Sequence, residues 1–174
     1  MRALTIFLAV LLSACAQPNA EVLNTQPESN RVKIYVPRDN PTIHAIQYVG
    51  LTEKSNRQEL KEYTGVDPVR TEWCAAFVNA VLNETGIDGS ESVSKYPLTA
   101  RSFLHWGTKV TDPEPGDIVV FPRGNSSWQG HVGFYLKTQK INGVDYYLIL
   151  GGNQDNKVSI VPYRASRALG IRRA

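Results

Sequence analysis

The sequence predicts an α+β fold, with helices in its first half and antiparallel strands in its second. Three observations carry this expectation. Residues 71–86 read as one amphipathic helix, because Trp73, Phe77, Ala80 and Val81 recur at helical spacing. After the turn signal Pro115-Gly116, apolar runs and period-two alternation replace that spacing. Asn142-Gly143 then has the form of a two-residue hairpin turn.

In chain order, the N-terminus carries one charge, Arg2, and an apolar run over residues 6–12. That run is too short to span a bilayer and has the form of a secretory signal. It ends in Leu12-Ser13-Ala14-Cys15, which resembles a bacterial lipobox, in which the chain is cut before a cysteine that is then lipidated. Residues 1–14 are therefore expected to be a signal peptide and Cys15 a lipidation site. Ala16, rather than Asp, implies by the same resemblance sorting to the outer membrane, facing the periplasm. Residues 15–31 read as lipidated cysteine plus flexible tether, since residues 16–31 are polar and have little to bury. A coil of roughly 16 residues spans about 20–25 Å.

The domain proper is expected over residues 32–174. Residues 32–36 suit a short strand, and residues 43–63 suit helical segments broken near Gly50. In the helix over 71–86, Thr71 suits an N-cap and Gly86 a left-handed C-terminal cap. Residues 99–106 read as a short helix burying Phe103, Leu104 and Trp106. Strands are expected at 117–121, 131–139, 145–150, 158–161 and 169–172, giving a sheet of about five to six strands.

The chain has 174 residues, 42% hydrophobic, enough for one real core. Its formal charge is +3, or +2 once Arg2 is removed, without any basic run. Nucleic acid is therefore not an expected partner. Three scattered histidines and two cysteines lack ligand spacing, so neither a metal nor another cofactor is expected. His44 and His105 read as surface or packing residues. Cys15 and Cys74 each have a separate explanation, so no disulfide is expected.

Cys74 carries the chemical interest. With Thr71 as cap it falls in the first helical turn, where free amides and the helix dipole favour a thiolate. On position alone, a buried structural cysteine is the slightly preferred reading. Cysteine catalysis also needs an imidazole and a polar group to orient it. His131, at the start of a strand between Gly130 and Val132, is the candidate imidazole, although a strand histidine can be an ordinary edge residue. Gly130 and Gly133 would leave room beside the ring.

Four blocks then occur in order: Trp73-Cys74-Ala75-Ala76-Phe77-Val78, Pro115-Gly116-Asp117-Ile118-Val119-Val120-Phe121, Gly130-His131-Val132-Gly133-Phe134-Tyr135 and Gly151-Gly152-Asn153-Gln154. Together they resemble the papain-like bacterial cell-wall cysteine peptidases of the NlpC and CHAP superfamily, over about residues 43–174. The Gly-Gly-Asn-Gln ending resembles a phage-associated branch. The resemblance implies a papain-like fold and a cysteine–histidine hydrolase that cuts peptidoglycan amide bonds, in stem peptides or at the sugar–peptide link. It makes Cys74 the nucleophile, His131 the general base and Asn153 the orienting residue. The acidic residue that many CHAP proteins carry two positions before that asparagine is replaced here by Gly151. Trp73 and Trp128 are candidate substrate contacts, Ser126 is a weaker one, and the Cys74 amide is a candidate oxyanion donor. Peptidoglycan and, through Cys15, a membrane are the expected partners of a monomer. A non-catalytic wall-binding lipoprotein and an acyltransferase or transpeptidase with the same dyad are the competing functions.

The third residue is contested within the sequence. An unbroken ladder from the Asn142-Gly143 turn would set His131 opposite Gln154, which favours Gln154. The family pattern favours Asn153, and a β-bulge at Gly151-Gly152 would reconcile the two. The expectation is Asn153.

Overall fold

A computed structural model describes residues 20–24 and 33–174. The expected signal segment 1–14, Cys15 and residues 16–19 and 25–32 of the expected tether lie outside the described residues. The order of elements begins with β1 (Ala20–Asn24), β2 (Lys33–Pro37), α1 (Pro41–Ala45), α2 (Arg57–Thr64) and α3 (Cys74–Glu84). Then come β3 (Thr108–Val110), β4 (Ile118–Pro122), β5 (Gly130–Ile141), β6 (Val144–Gly151), β7 (Ser159–Arg164) and β8 (Gly170–Arg173). The last six strands form one antiparallel sheet in the order β3-β8-β4-β5-β6-β7. This is the α+β, papain-like arrangement expected, with N-terminal helices packed on a six-stranded sheet.

The tether reading needs correction in one part. Ala20–Asn24 pairs with Lys33–Pro37 as an antiparallel ribbon. The β-rich run Lys-Ile-Tyr-Val supplies a pairing edge that the composition of residues 16–31 alone did not reveal. β3 was likewise not foreseen; three residues are too few to show a period.

Helix α3 is the centre of the main core. Trp73, Phe77, Val78, Val81 and Leu82 are essentially inaccessible and pack with Ile118, Val120, Val132 and Phe134 from β4 and β5. Burial of each large side chain contributes about 1.5–3 kcal/mol. A smaller cluster contains Val119, Phe121, Tyr135, Ile149 and Ile171. Alternating residues of β4 and β5 thus enter different clusters, as a pleated strand requires. Gly86, at φ +76°, closes α3 as expected: its amide bonds Asn83 O while Ile87 bonds Leu82 O. At the other end the cap differs from expectation. Trp73 occupies it without a side-chain hydrogen bond, and Cys74 is the first helical residue.

The helical region over 43–63 is indeed broken at Gly50, which has φ +100°. The segment expected as a helix over 99–106 is a 3₁₀ helix, Ala100–His105. Phe103 and Trp106 are buried there, Leu104 is half-buried and His105 is exposed. His44 lies near the surface, 3.2 Å from Glu84. No described helix is long and apolar enough to cross a membrane.

Candidate active site

Cys74 begins α3, before the intrahelical ladder is complete; the first bond of that ladder runs from Phe77 N to Trp73 O. The first-turn amides are therefore free, and that of Ala75 is directed at the sulfur. A second amide acts on the thiol from β5, that of Val132, and favours its charged form. The residue before Val132 is His131, so the helix start and the histidine strand meet at the thiol.

The expectation of a thiolate does not hold. Cys74 is only 3% exposed, and burial pushes its thiol above the ordinary range. The charge of Arg123 and the amides of Val132 and Ala75 act in the opposite direction, and Glu72 adds to the rise. Desolvation of the charged form outweighs the helix terminus, so the resting group is a neutral thiol.

His131 is buried and sandwiched on one side. Its ring stacks on Tyr163 at 5.2 Å, and Tyr163 stacks on Phe121 at 4.7 Å. His131 Nε2 lies 3.1 Å from Gln154 Oε1. The Gln154 amide nitrogen donates to the carbonyls of Ile149, Gly151 and Ser159. With the nitrogen committed, Oε1 must accept, so His131 Nε2 carries the hydrogen and Nδ1 keeps its lone pair. Nδ1 is buried and has no hydrogen-bond partner.

The third-residue expectation is thus overturned in geometry. Gln154 holds the ring, while Asn153 turns away and donates to Glu72 Oε2 at 2.7 Å. The physical reason is neither of the two weighed. A bulge does exist, but in β5, between Tyr135 and Lys137, rather than at Gly151-Gly152. The shifted ladder would run on to set Asn153 opposite His131, yet β5–β6 pairing ends at Leu150. Gly152 then approaches α3 so closely that a Cβ would lie 2.5 Å from the Trp73 ring. Asn153 follows in the left-handed region at φ +54°, as do Asp155 and Asn156. That turn sends Gln154 back under the sheet.

Two further expectations change. Trp73 is fully buried, edge-on to Phe77 and against Gly152, so it is a core residue and not a substrate contact. Gly133 leaves no room for a ligand, because its face is filled by Ile149 and the Leu150 carbonyl. Trp128, by contrast, is 67% exposed. It lines a cleft of about 310 Å³ together with Cys74, Glu72, Arg123, Leu98 and Gly130. Ser126 is not part of that lining; its backbone bonds Gln129 within the loop.

Sequence reasoning missed Arg123, Glu72 and Tyr163. Arg123 donates to Glu72 Oε2 and to the Asn153 carbonyl, each at 2.9 Å. None of the three belongs to a motif; only the folded chain brings them to the site. Among the described residues no group of three or more His, Cys, Asp or Glu could hold a metal ion.

A comparison with known protein families matches residues 66–153, about half of the chain, to the CHAP domain. The chain belongs to the CHAP family. Membership brings cysteine-hydrolase chemistry and an association with peptidoglycan, and the matched span contains Cys74, His131 and Asn153. It ends one residue short of Gln154, the side chain that holds the imidazole in this CHAP domain. No curated protein matches the chain.

The buried imidazole makes stability depend on pH. Burial, aided by the charge of Arg123 and opposed by the Gln154 bond, holds His131 down to about 4. The unfolded value is about 6.5. Between those values the unfolded chain binds the extra proton, so stability rises with pH. The contribution is fully present above about 6.5 and disappears as pH falls towards 4, amounting to about 3 kcal/mol. Denaturant midpoints measured from pH 7 down to pH 4 should fall more steeply for the parent than for His131→Gln. Equal slopes would contradict a neutral, buried His131.

Proposed function

We propose that this protein is a peptidoglycan hydrolase that cuts an amide bond through a Cys74 thioester, with His131 as base and Gln154 as its positioning residue. The observation that carries the reading is that Cys74, at the start of α3 and lining the cleft, is acted on by the Val132 amide of the same strand that carries His131, whose Nδ1 is buried and unpartnered. Nδ1 takes the thiol proton as sulfur attacks the carbonyl carbon, and Nε2–H stays on Gln154 Oε1. The carbonyl oxygen gains the negative charge, and the Cys74 amide at the helix start is its natural donor. Collapse breaks the C–N bond, with the imidazolium proton leaving on the amine. Water then attacks the thioester, giving its proton to Nδ1, and the thiol is restored. Burial is the main reason His131 is held down to about 4, and the charge of Arg123 adds to it, so a substrate group that neutralises Arg123 relieves only the smaller part of that depression.

Trp128 forms an exposed aromatic wall of the cleft and is the proposed substrate contact. Acyl transfer to an amine acceptor would use the same first half-reaction, so it is the second reading. Incubating the purified protein with peptidoglycan and identifying the fragments by mass spectrometry tests both. Free carboxyl and amine termini are expected; release of no fragment would defeat the hydrolase reading.

The cellular setting is part of the proposal. The apolar run over 6–12 and Leu-Ser-Ala-Cys support export and lipid attachment at Cys15, with the outer membrane as destination. The Gly-Gly-Asn-Gln block supports a relation to the phage-associated branch. Cys15→Ser should move the protein from the membrane fraction to the soluble periplasmic fraction, since the acyl chains hold it at the membrane. Membrane retention of that variant would count against the anchor.

A further inference from the structure

We propose that Arg123 binds a carboxylate of the substrate beside the scissile amide, so that the cleft selects an acidic peptide. The inference rests on the hydrolase reading and adds a substrate class to it. Arg123 directly follows Pro122, the last residue of β4, so its backbone is held at the end of the sheet. Its side chain lines the cleft that contains Cys74 and is 38% exposed. Cys74 lines the same cleft, and the charge of Arg123 lowers both Cys74 and His131.

Two bonds orient the group. One N–H donates to the Asn153 carbonyl and another to Glu72 Oε2. A guanidinium has five N–H donors, so most of the fork remains for a ligand. The bond to Glu72 is also easy to exchange. The Glu72 side chain is 78% exposed, and an ion pair at such a site contributes only about 0–1 kcal/mol. A substrate carboxylate can take its place, while the backbone carbonyl of Asn153 keeps the fork aimed. Planar two-point recognition of a carboxylate is the chemistry to which arginine is suited. Leu98 and Trp128, exposed across the same cleft, offer the remainder of the ligand an apolar wall.

The test uses the full-length chain with Cys74→Ala, which permits binding without turnover. Its ligands are a synthetic lysine-containing stem tetrapeptide and two derivatives, amidated either at the glutamyl carboxylate or at the C-terminus. By calorimetry, one of the two amidations should weaken binding by about tenfold or more, as expected for loss of a charge-assisted bond. Which one does so identifies the carboxylate. Adding Arg123→Gln should bring the three affinities within about twofold. Adding Arg123→Lys should retain part of the preference, and adding Glu72→Gln should tighten the free acid. Melting curves of each variant exclude unfolding as the cause. Equal binding of all three peptides, binding of none, or a preference that survives Arg123→Gln would overturn the assignment. Parent activity on whole peptidoglycan is measured alongside. Activity without peptide discrimination would sink only the Arg123 assignment, whereas inactivity would sink the hydrolase reading.

Discussion

Cys74→Ser is expected to fold normally and to lose wall-degrading activity by several orders of magnitude. The substitution replaces sulfur by the smaller oxygen at a site that is 3% exposed, and the hydroxyl can still accept from the Val132 and Ala75 amides. The fold should therefore be little disturbed. Chemistry should suffer badly, because a hydroxyl is much less acidic and less nucleophilic than a thiol. The base makes the contrast sharper. An imidazole held down to about 4 can be asked to take a proton from a thiol far more readily than from an alcohol. A purely structural Cys74 predicts the reverse, with altered melting and unchanged activity. Fragment release from peptidoglycan, measured beside a melting curve, separates the two. A serine variant that digests peptidoglycan at the parent rate would remove Cys74 from the mechanism.

The second large effect is expected at Gln154, and it should exceed that at Asn153. Gln154→Ala removes the acceptor that holds Nε2–H, so the imidazole can change tautomer and lose its free Nδ1 lone pair. Turnover should fall roughly tenfold to a hundredfold, part of the 10²–10⁴ that a positioned base supplies. Stability should fall too, by about 1–3 kcal/mol, because three backbone carbonyls lose the same donor. Assays well below the melting point isolate the catalytic part. Asn153→Gly is the fitting comparison, since it tolerates φ +54° and deletes only the contact with Glu72. Its turnover should remain within a few-fold of the parent. A loss at Asn153→Gly as large as that at Gln154→Ala would return the orienting role to Asn153.

Much of the layout was legible because it repeats locally. The helical period over 71–86, the Asn142-Gly143 turn and the alternation along residues 131–139 each depend on neighbours in sequence. They reappear as α3, the β5–β6 turn and β5. The cleft was less legible. Trp73 and Trp128 look alike in sequence, yet one is inaccessible and the other 67% exposed. Burial of an aromatic depends on what arrives from elsewhere, here Phe77 and the Gly152 turn.

The sequence by itself determined the α+β class, the helix that begins near Cys74, and the strand that carries His131, because periodicity and short motifs act over a few residues. The family resemblance, read from four short blocks, rests on the same local information. Only the tertiary structure decided that Gln154 rather than Asn153 holds the imidazole. That outcome depends on the end of β5–β6 pairing at Leu150 and on a glycine turn pressed against Trp73, both set by packing between distant segments. Tertiary structure also decided the charge state of the site. A helix start favours a thiolate, but desolvation sums over every atom that closes round the sulfur, and that sum leaves Cys74 a thiol and His131 neutral. Arg123 became part of the cleft for the same reason: the end of β4, the start of α3 and the Asn153 turn meet only in the folded chain.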